Sequence, residues 1–155
     1  MLHERLELQR SPGLAEVLRE PSELAQAIQA NSLPNLAFIG SGRVVGNCGD
    51  VFLGPAFDQL LARLREQYDY VVIDSCPVFA ADDATTLAPK VDGTLFVVRN
   101  GYSRPGPVRE ALSLLYQRNA RVLGVIFNQT DPSAHSNYYY KYAEYYTKTD
   151  KSQNG

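Results

Sequence analysis

The sequence predicts an α/β fold, a parallel sheet of about four strands with helices on its faces. Three observations carry this. Four short apolar runs stand out, at residues 36–39, 70–73, 94–98 and 122–127, each dense in Val, Ile, Leu, Phe or Tyr. The last three are nearly continuous rather than alternating, as strands covered on both faces require. The stretches between them carry apolar residues at helical spacing, and such alternation of strand and helix implies right-handed crossovers.

The opening MLHERLELQR is charged and lacks the apolar centre of a signal peptide. Gly13 to Arg19 and Ser22 to Ala30 read as two short helices separated by Pro21. Leu36 to Ile39 is the first strand, followed by GSGRVVG at residues 40–46, which reads as a turn. Phe57, Leu60, Leu61 and Leu64 follow i, i+3, i+4, i+7 spacing, with Pro55 placed to start a helix. Tyr70 to Ile73 is the second strand, and a short helix, ATTLA, comes after Asp82 and Asp83. Thr94 to Val98 is the third. Val108, Ala111, Leu112, Leu115 and Tyr116 mark the next helix, with Ser103 available as its N-cap. Val122 to Phe127 closes the series. This divides the chain into a domain at residues 1–130 and a tail at 131–155.

A chain of 155 residues suits one domain with a real core, and 45% hydrophobic residues is ordinary for one. The net charge of −2 supplies no basic field for nucleic acid. Cys48 and Cys76 fit neither a disulfide framework nor a zinc pattern, so reduced thiols in the cytoplasm are expected. No stretch reaches the roughly 18 apolar residues of a membrane span.

Six of the ten tyrosines fall in one short stretch: Tyr138, Tyr139, Tyr140, Tyr142, Tyr145 and Tyr146. Consecutive tyrosines cannot all face one side of a helix or strand, and the surrounding Ser, Asn, Lys, Thr and Gln are typical of unpacked chain. The phenols are candidates either for accepting phosphate or for aromatic contact with a partner. Upstream, YDYVVIDSCPV delivers Asp74 to the C-terminal end of a strand, the edge where doubly wound sheets bind ligands. An Asp there can hold magnesium beside nucleotide phosphates, or it can cap the following loop. Asp82 and Asp83 are open to the same question, with N-capping the simpler account. His3 and His135 have no acid or nucleophile near them in sequence, and no G-x-S-x-G elbow exists.

YDYVVIDSCPV, DDATTLAPKVDGTLFVVRNGYS, ARVLGVIFN and the tyrosine-rich end, in that order, resemble the C-terminal two-thirds of the cytoplasmic kinase domain of bacterial tyrosine kinases. Those are P-loop proteins related to the MinD and ParA ATPases and act in capsule and exopolysaccharide production. The opening LHERLELQRSPGLAEVL is similar to the family segment just after its second nucleotide motif. NCGDVFLGPAF resembles the family's NP-x-E-LL-x-S-x-x-F, with Cys48 for the proline and Gly54 for the serine. Cys76 likewise stands where the family has proline.

The resemblance implies a Rossmann-like P-loop fold using ATP and magnesium. It makes Asp74 the Walker B aspartate at the metal, and Asp83 the acidic residue of the family's TDA triplet. It sets Asn128 near the adenine ring. Arg99, in the family's VVR stretch, is either a strand-end residue or a nucleotide contact. The six tail tyrosines match the cluster phosphorylated between like molecules. A membrane-anchored polysaccharide co-polymerase or activator is the implied partner, holding the chain at the inner face of the membrane.

One part of the pattern is missing. A Walker A loop, G-x-x-x-x-G-K-[ST], needs a lysine after glycine. The four lysines are Lys90, Lys141, Lys148 and Lys151, and none follows a glycine. The Asp-x-Asp-x-Arg motif is absent too. Phosphoryl transfer is mostly positioning and electrostatics, so weak or no intrinsic ATP use is expected. The fold is then an incomplete P-loop domain, a remnant or one that works beside a partner supplying the missing half. An uncovered strand edge would invite such pairing.

Overall fold

The computed structural model describes residues 2–43 and 52–130. Its helices are α1 (Leu2–Arg5), α2 (Leu14–Val17), α3 (Leu24–Ala27), α4 (Pro55–Gln67), α5 (Asp83–Leu87) and α6 (Pro105–Gln117). Its strands are β1 (Ile28–Ala30), β2 (Ala37–Ile39), β3 (Thr94–Arg99) and β4 (Val122–Asn128). Short 3₁₀ turns at Pro21–Glu23 and Ala88–Lys90 precede α3 and follow α5. The class is α/β, as the strand and helix alternation predicts. The tyrosine tail, Cys48 and His135 lie outside the described residues.

The strands form two pairs. β3 and β4 run parallel, with Phe96 opposite Val125 and Arg99 opposite Asn128. This is the parallel pairing expected of near-continuous apolar runs joined through a helix. β1 and β2 form an antiparallel pair, Ile28 opposite Ile39 and Ala30 opposite Ala37. Here the structure differs from the sequence reading in two ways. The helix expected through Ala30 ends at Ala27, because Ile28 turns to extended backbone at φ −75°, ψ 117°. The 37–39 strand then returns against that segment rather than joining a parallel sheet. Asn35, at a left-handed φ of 61°, helps to make the turn between them.

The segment Tyr70–Ile73 lies in no ladder among the described residues. Tyr70 is 89% and Val72 92% exposed, while Ile73 packs on the larger core. Its residues suit a strand, but a strand exists only beside a partner.

α4 buries Phe57, Leu60, Leu61 and Leu64, the four positions its spacing marks, and begins at Pro55, whose missing N–H costs nothing at a helix start. That face meets Val17, Leu18, Leu24, Ala27 and Leu87 in the larger core. α6 buries Ala111 and Leu115, the latter against Ala88, Ala120, Phe96 and Val122 in a smaller core. Its N-cap is Arg104 rather than Ser103, because Pro105 takes the first helical position. Ser103 instead accepts the Arg99 backbone N–H through Oγ at 3.1 Å.

Candidate functional site

β3 and β4 end side by side, and their C-terminal tips gather polar groups. Asn100 N donates to Asn128 O at 2.9 Å, extending the ladder past Arg99. The Arg99 guanidinium donates from Nε to Gln129 Oε1 and lies 5.3 Å from the centroid of the Tyr102 ring. Asn128 Oδ1 accepts the Gln129 backbone N–H at 2.8 Å. Gln129 sits at φ 56°, so the chain bends sharply just where the strand stops. Gln129 and Tyr102 were not singled out by sequence motifs. The signal that could have found them is position alone, each within three residues of a parallel strand's C-terminal end.

Asp74 is exposed, and no described residue forms a hydrogen bond or ion pair with its carboxylate. Asp83 is the first residue of α5. Asp82 holds the N-cap position with helical backbone and makes no side-chain cap bond; its carbonyl accepts Thr85 Oγ1 at 2.9 Å and Thr86 N at 2.9 Å. No hydrogen bond or ion pair among the described residues joins Asp74, Asp83 and Asn128. The structure therefore brings Arg99, Tyr102, Asn128 and Gln129 together and does not connect the two aspartates to them.

The described residues contain no cluster of three or more His, Cys, Asp or Glu able to hold a metal. Asp74 offers magnesium a single carboxylate, and magnesium bound that way keeps several waters and needs substrate phosphates for its other positions. The phosphates in turn need a cradle. The glycine-bearing run at 40–46 does not supply one in its described part. Gly42 N donates to Arg10 O at 2.9 Å, and Arg43 N donates to Glu16 Oε1 at 2.8 Å. Gly40 O and Ser41 O accept Leu14 N and Ala15 N, at 2.8 and 3.1 Å. Both amides are already engaged, that of Gly42 by Arg10 O and that of Arg43 by Glu16, and a carboxylate sits among them. The Arg43 N–H holds the Glu16 carboxyl below its usual range, against its slight desolvation, with the Gly13 N–H and the Ser11 hydroxyl helping. A side chain on Gly13 or Gly40 would overlap backbone of the facing segment, so the glycines serve close packing of two segments. The described residues thus offer magnesium the lone Asp74 carboxylate and nucleotide phosphates no amide cradle at residues 40–43.

Cys76 is a free, half-buried thiol whose Sγ lies 4.0 Å from Ala81 O. Among the described residues no helix is long and apolar enough to cross a membrane.

Comparison with known proteins gives these tips a context. No family model matches the chain. It is 33% identical over 150 residues to a putative tyrosine-protein kinase EpsB of Ralstonia nicotianae, covering 93% of this chain and 20% of that protein. The crystal structure of the VpsO kinase domain superposes with a TM-score of 0.77 at 28% identity, over 84% of this chain and 64% of that one. The kinase domain of Escherichia coli tyrosine kinase ETK gives 0.77 at 27% identity, over 83% and 50%. The chain spans about one fifth of the length of the Ralstonia relative.

Proposed function

From the premise that the chain is a homologue of bacterial tyrosine kinases and has the α/β fold of their kinase domains, we propose that its six C-terminal tyrosines accept phosphate from another molecule's active site. The observation that carries this is the coexistence, in one chain, of the Tyr138–Tyr146 cluster and a kinase-type fold with no lysine-bearing phosphate loop. In the step itself a tyrosine phenol oxygen bonds the γ-phosphorus of ATP, ADP leaves, and the phenol proton passes to base or solvent. The ATP and magnesium are held by the donor molecule. In this chain Asp74, just after the unpaired Tyr70–Ile73 segment, would take the metal-side acidic position, Asp83 at the start of α5 the second, and Asn128 at the end of β4 the adenine side. Their contribution is weak without a phosphate cradle.

Each phosphotyrosine adds about −1.5 to −2 charges, so a fully modified tail gains on the order of ten. That would make like molecules repel and loosen an assembly. By family analogy the setting is capsule or exopolysaccharide production, with a membrane-anchored co-polymerase or activator holding the chain at the inner membrane face.

The test is to incubate the purified chain with ATP and magnesium, alone and with an active relative such as the ETK kinase domain, and to map phosphotyrosine by mass spectrometry. Label on Tyr138 to Tyr146 only with the added kinase is expected. Strong label from the chain alone overturns the claim of crippled catalysis, and no label in either arm overturns the acceptor role.

A second reading is a non-enzymatic module that docks on a polysaccharide-assembly partner. The uncovered apolar residues of β3 and β4 favour it. It gains if replacing all six tail tyrosines by Phe leaves partner binding and polysaccharide output unchanged.

A further inference from the structure

Asn100 and Gly101 follow β3, where Asn100 N reaches Asn128 O of β4 at 2.9 Å. An asparagine before a glycine carries a reaction of its own. The glycine nitrogen, once deprotonated, can attack the asparagine Cγ, because the next residue has no side chain to stand in the way. The fold decides whether that attack is open, by engaging the two groups or leaving them free.

Here both are free. Asn100 and Gly101 are exposed. Among the described residues the Asn100 side-chain amide has no hydrogen-bond partner, and the Gly101 N–H donates to none. Gly101 sits at φ 71°, with no atom within 4 Å of the place a Cβ would occupy. The other described asparagines lack this combination. Asn31 precedes the small Ser32, but its Oδ1 accepts the Leu33 N–H at 2.6 Å and its Nδ2 is buried. Asn119 precedes buried Ala120, whose N–H is spent on Leu115 O at 3.0 Å. Asn128 receives the Gln129 N–H on its own Oδ1 at 2.8 Å. Asn35 precedes Leu36, whose side chain hinders the approach.

We propose that Asn100–Gly101 is a site of spontaneous deamidation whose isoaspartyl product unfastens the turn at the β3–β4 tips. The Gly101 nitrogen gives its proton to base and bonds to Asn100 Cγ. The bond from Cγ to Nδ2 breaks, and ammonia leaves with a proton from solvent. Water then opens the succinimide ring at one of its two carbonyls. Opening at Cγ gives aspartate. Opening at the backbone carbonyl gives isoaspartate, whose main chain runs through Cγ and whose α-carboxylate hangs free. Nothing is oxidised or reduced. Both products add a negative charge next to Arg99, but only isoaspartate adds a carbon to the main chain.

That carbon falls inside a tight set of bonds. Arg99 O accepts Tyr102 N at 3.3 Å and Ser103 N at 2.9 Å, and Ser103 Oγ accepts the Arg99 N–H at 3.1 Å. Lengthening the chain between Arg99 and Ser103 misaligns these bonds, and hydrogen bonds weaken steeply off line. Tyr102, whose ring this turn holds 5.3 Å from the Arg99 guanidinium, is released with them.

The intact chain is incubated near neutral pH, digested at mildly acidic pH and read by mass spectrometry. Isoaspartate is scored by enzymatic methylation of its α-carboxylate. The peptide containing Asn100 should gain about one dalton and score positive, while those with Asn31, Asn35, Asn119 and Asn128 stay unchanged. The rate in the folded chain should lie within about tenfold of that in a synthetic peptide spanning Val97–Pro105, a barrier difference under about 1.4 kcal/mol. Asn100→Gln should remove the signal; its side chain has no partner to lose, so the fold stays. Exchange of the Ser103 amide should quicken about tenfold in the isoaspartyl form. It should stay unchanged in Asn100→Asp, which has the charge without the extra carbon. Four results overturn the proposal: a folded chain that converts far more slowly than the peptide, equal conversion at another described asparagine, a signal that survives Asn100→Gln, or unchanged Ser103 exchange in the isoaspartyl form.

Discussion

The larger core and the β3–β4 sheet are built from equally apolar sequence, yet one closes and the other does not. Around Phe57, helices α2, α3 and α4 meet with Leu87, and Ile28, Ile39 and Ile73 pack at the margin. Every apolar face there has a partner within the chain. At β3–β4 the cover among the described residues comes from α6, Ala120, the turn after α5 and Val78, and Leu95, Val97, Leu123, Val125, Ile126 and Phe127 remain exposed. Apolar residues scattered singly over a surface are normal, but a contiguous strip on a sheet marks an interaction surface. The lesson is that local pattern sets which residues want burial, while the available neighbours set which of them get it.

The largest test of that contrast compares one truncation in each core. Phe57→Ala removes a fully buried ring from the closed core and should cost about 3–5 kcal/mol. Leu115→Ala removes an equally buried side chain from the small core. Its cost should fall near the lower end of the usual range, about 2 kcal/mol, because a thinly walled site can relax around the cavity. Urea unfolding of both variants measures the difference. Equal costs would mean that the sheet is as well supported as the larger core.

This contrast also marks what the sequence could reveal. α4 was legible because four large residues fall at helical spacing behind a proline, and helix formation is local. β3 and β4 were legible because near-continuous Thr-Leu-Phe-Val-Val and Val-Leu-Gly-Val-Ile-Phe runs have few other uses. Residues 28–30 were misread as helix, since Gln29 and Ala30 suit a helix and only the return of Ala37–Ile39 makes them a strand. Turn residues between Asn31 and Asn35 were the available signal. Tyr70–Ile73 illustrates the same limit, as its composition specifies a strand whose neighbour is not among the described residues. At the site, Asn128 was singled out by the family resemblance alone, and it is the last residue of β4. The Arg99–Gln129 bond depends on a left-handed bend at Gln129, which no motif encodes.

The two regions are stitched by Lys90, which gives the next effect in size. Its Nζ lies 2.7 and 3.0 Å from the Asp58 carboxylate oxygens and 6.0 Å from the centroid of the Phe57 ring. The lysine is mostly buried but Asp58 is half-exposed, so solvent screens the pair. Lys90→Met should cost about 1 kcal/mol, read as a lower urea midpoint, and part of that loss should vanish in wild type at high salt. A neutral result would leave the 3₁₀ turn and α4 joined by apolar contact alone.

A smaller effect belongs to the start of α2. Glu16 accepts the Gly13 N–H at 2.8 Å, the reciprocal half of a capping box, and the Arg43 N–H at 2.8 Å. Its carboxyl is held below the usual value by those donors, so its folded pKa is lower than its unfolded one. The stabilisation is therefore fully present above the usual value of 4.5 and is lost as pH falls through the lower folded value. Solvent access keeps it small. Glu16→Gln should cost less than about 1 kcal/mol at pH 7 and nothing once the pH lies well below 4. Stability curves of both proteins between pH 3 and 7 should converge at the acid end, and parallel curves would show that the charge plays no part.

The smallest expected effect is the most informative about the sheet. Leu95→Lys replaces an apolar residue that the folded chain scarcely covers, so little burial is lost. Stability should stay within about 0.5 kcal/mol of wild type. Binding of a dye that lights up on exposed apolar surface should nevertheless fall, because the strip of Leu95, Val97 and Ile126 is broken by charge. The matching change in the closed core, Leu61→Lys, would bury an unpaired ammonium and unfold the protein. If Leu95→Lys were also strongly destabilising, Leu95 would be buried in the free chain and the contrast between the two regions would collapse. If it is neutral and the dye signal drops, Leu95 lies on an apolar face that the folded chain leaves uncovered, and the contrast between the two regions stands.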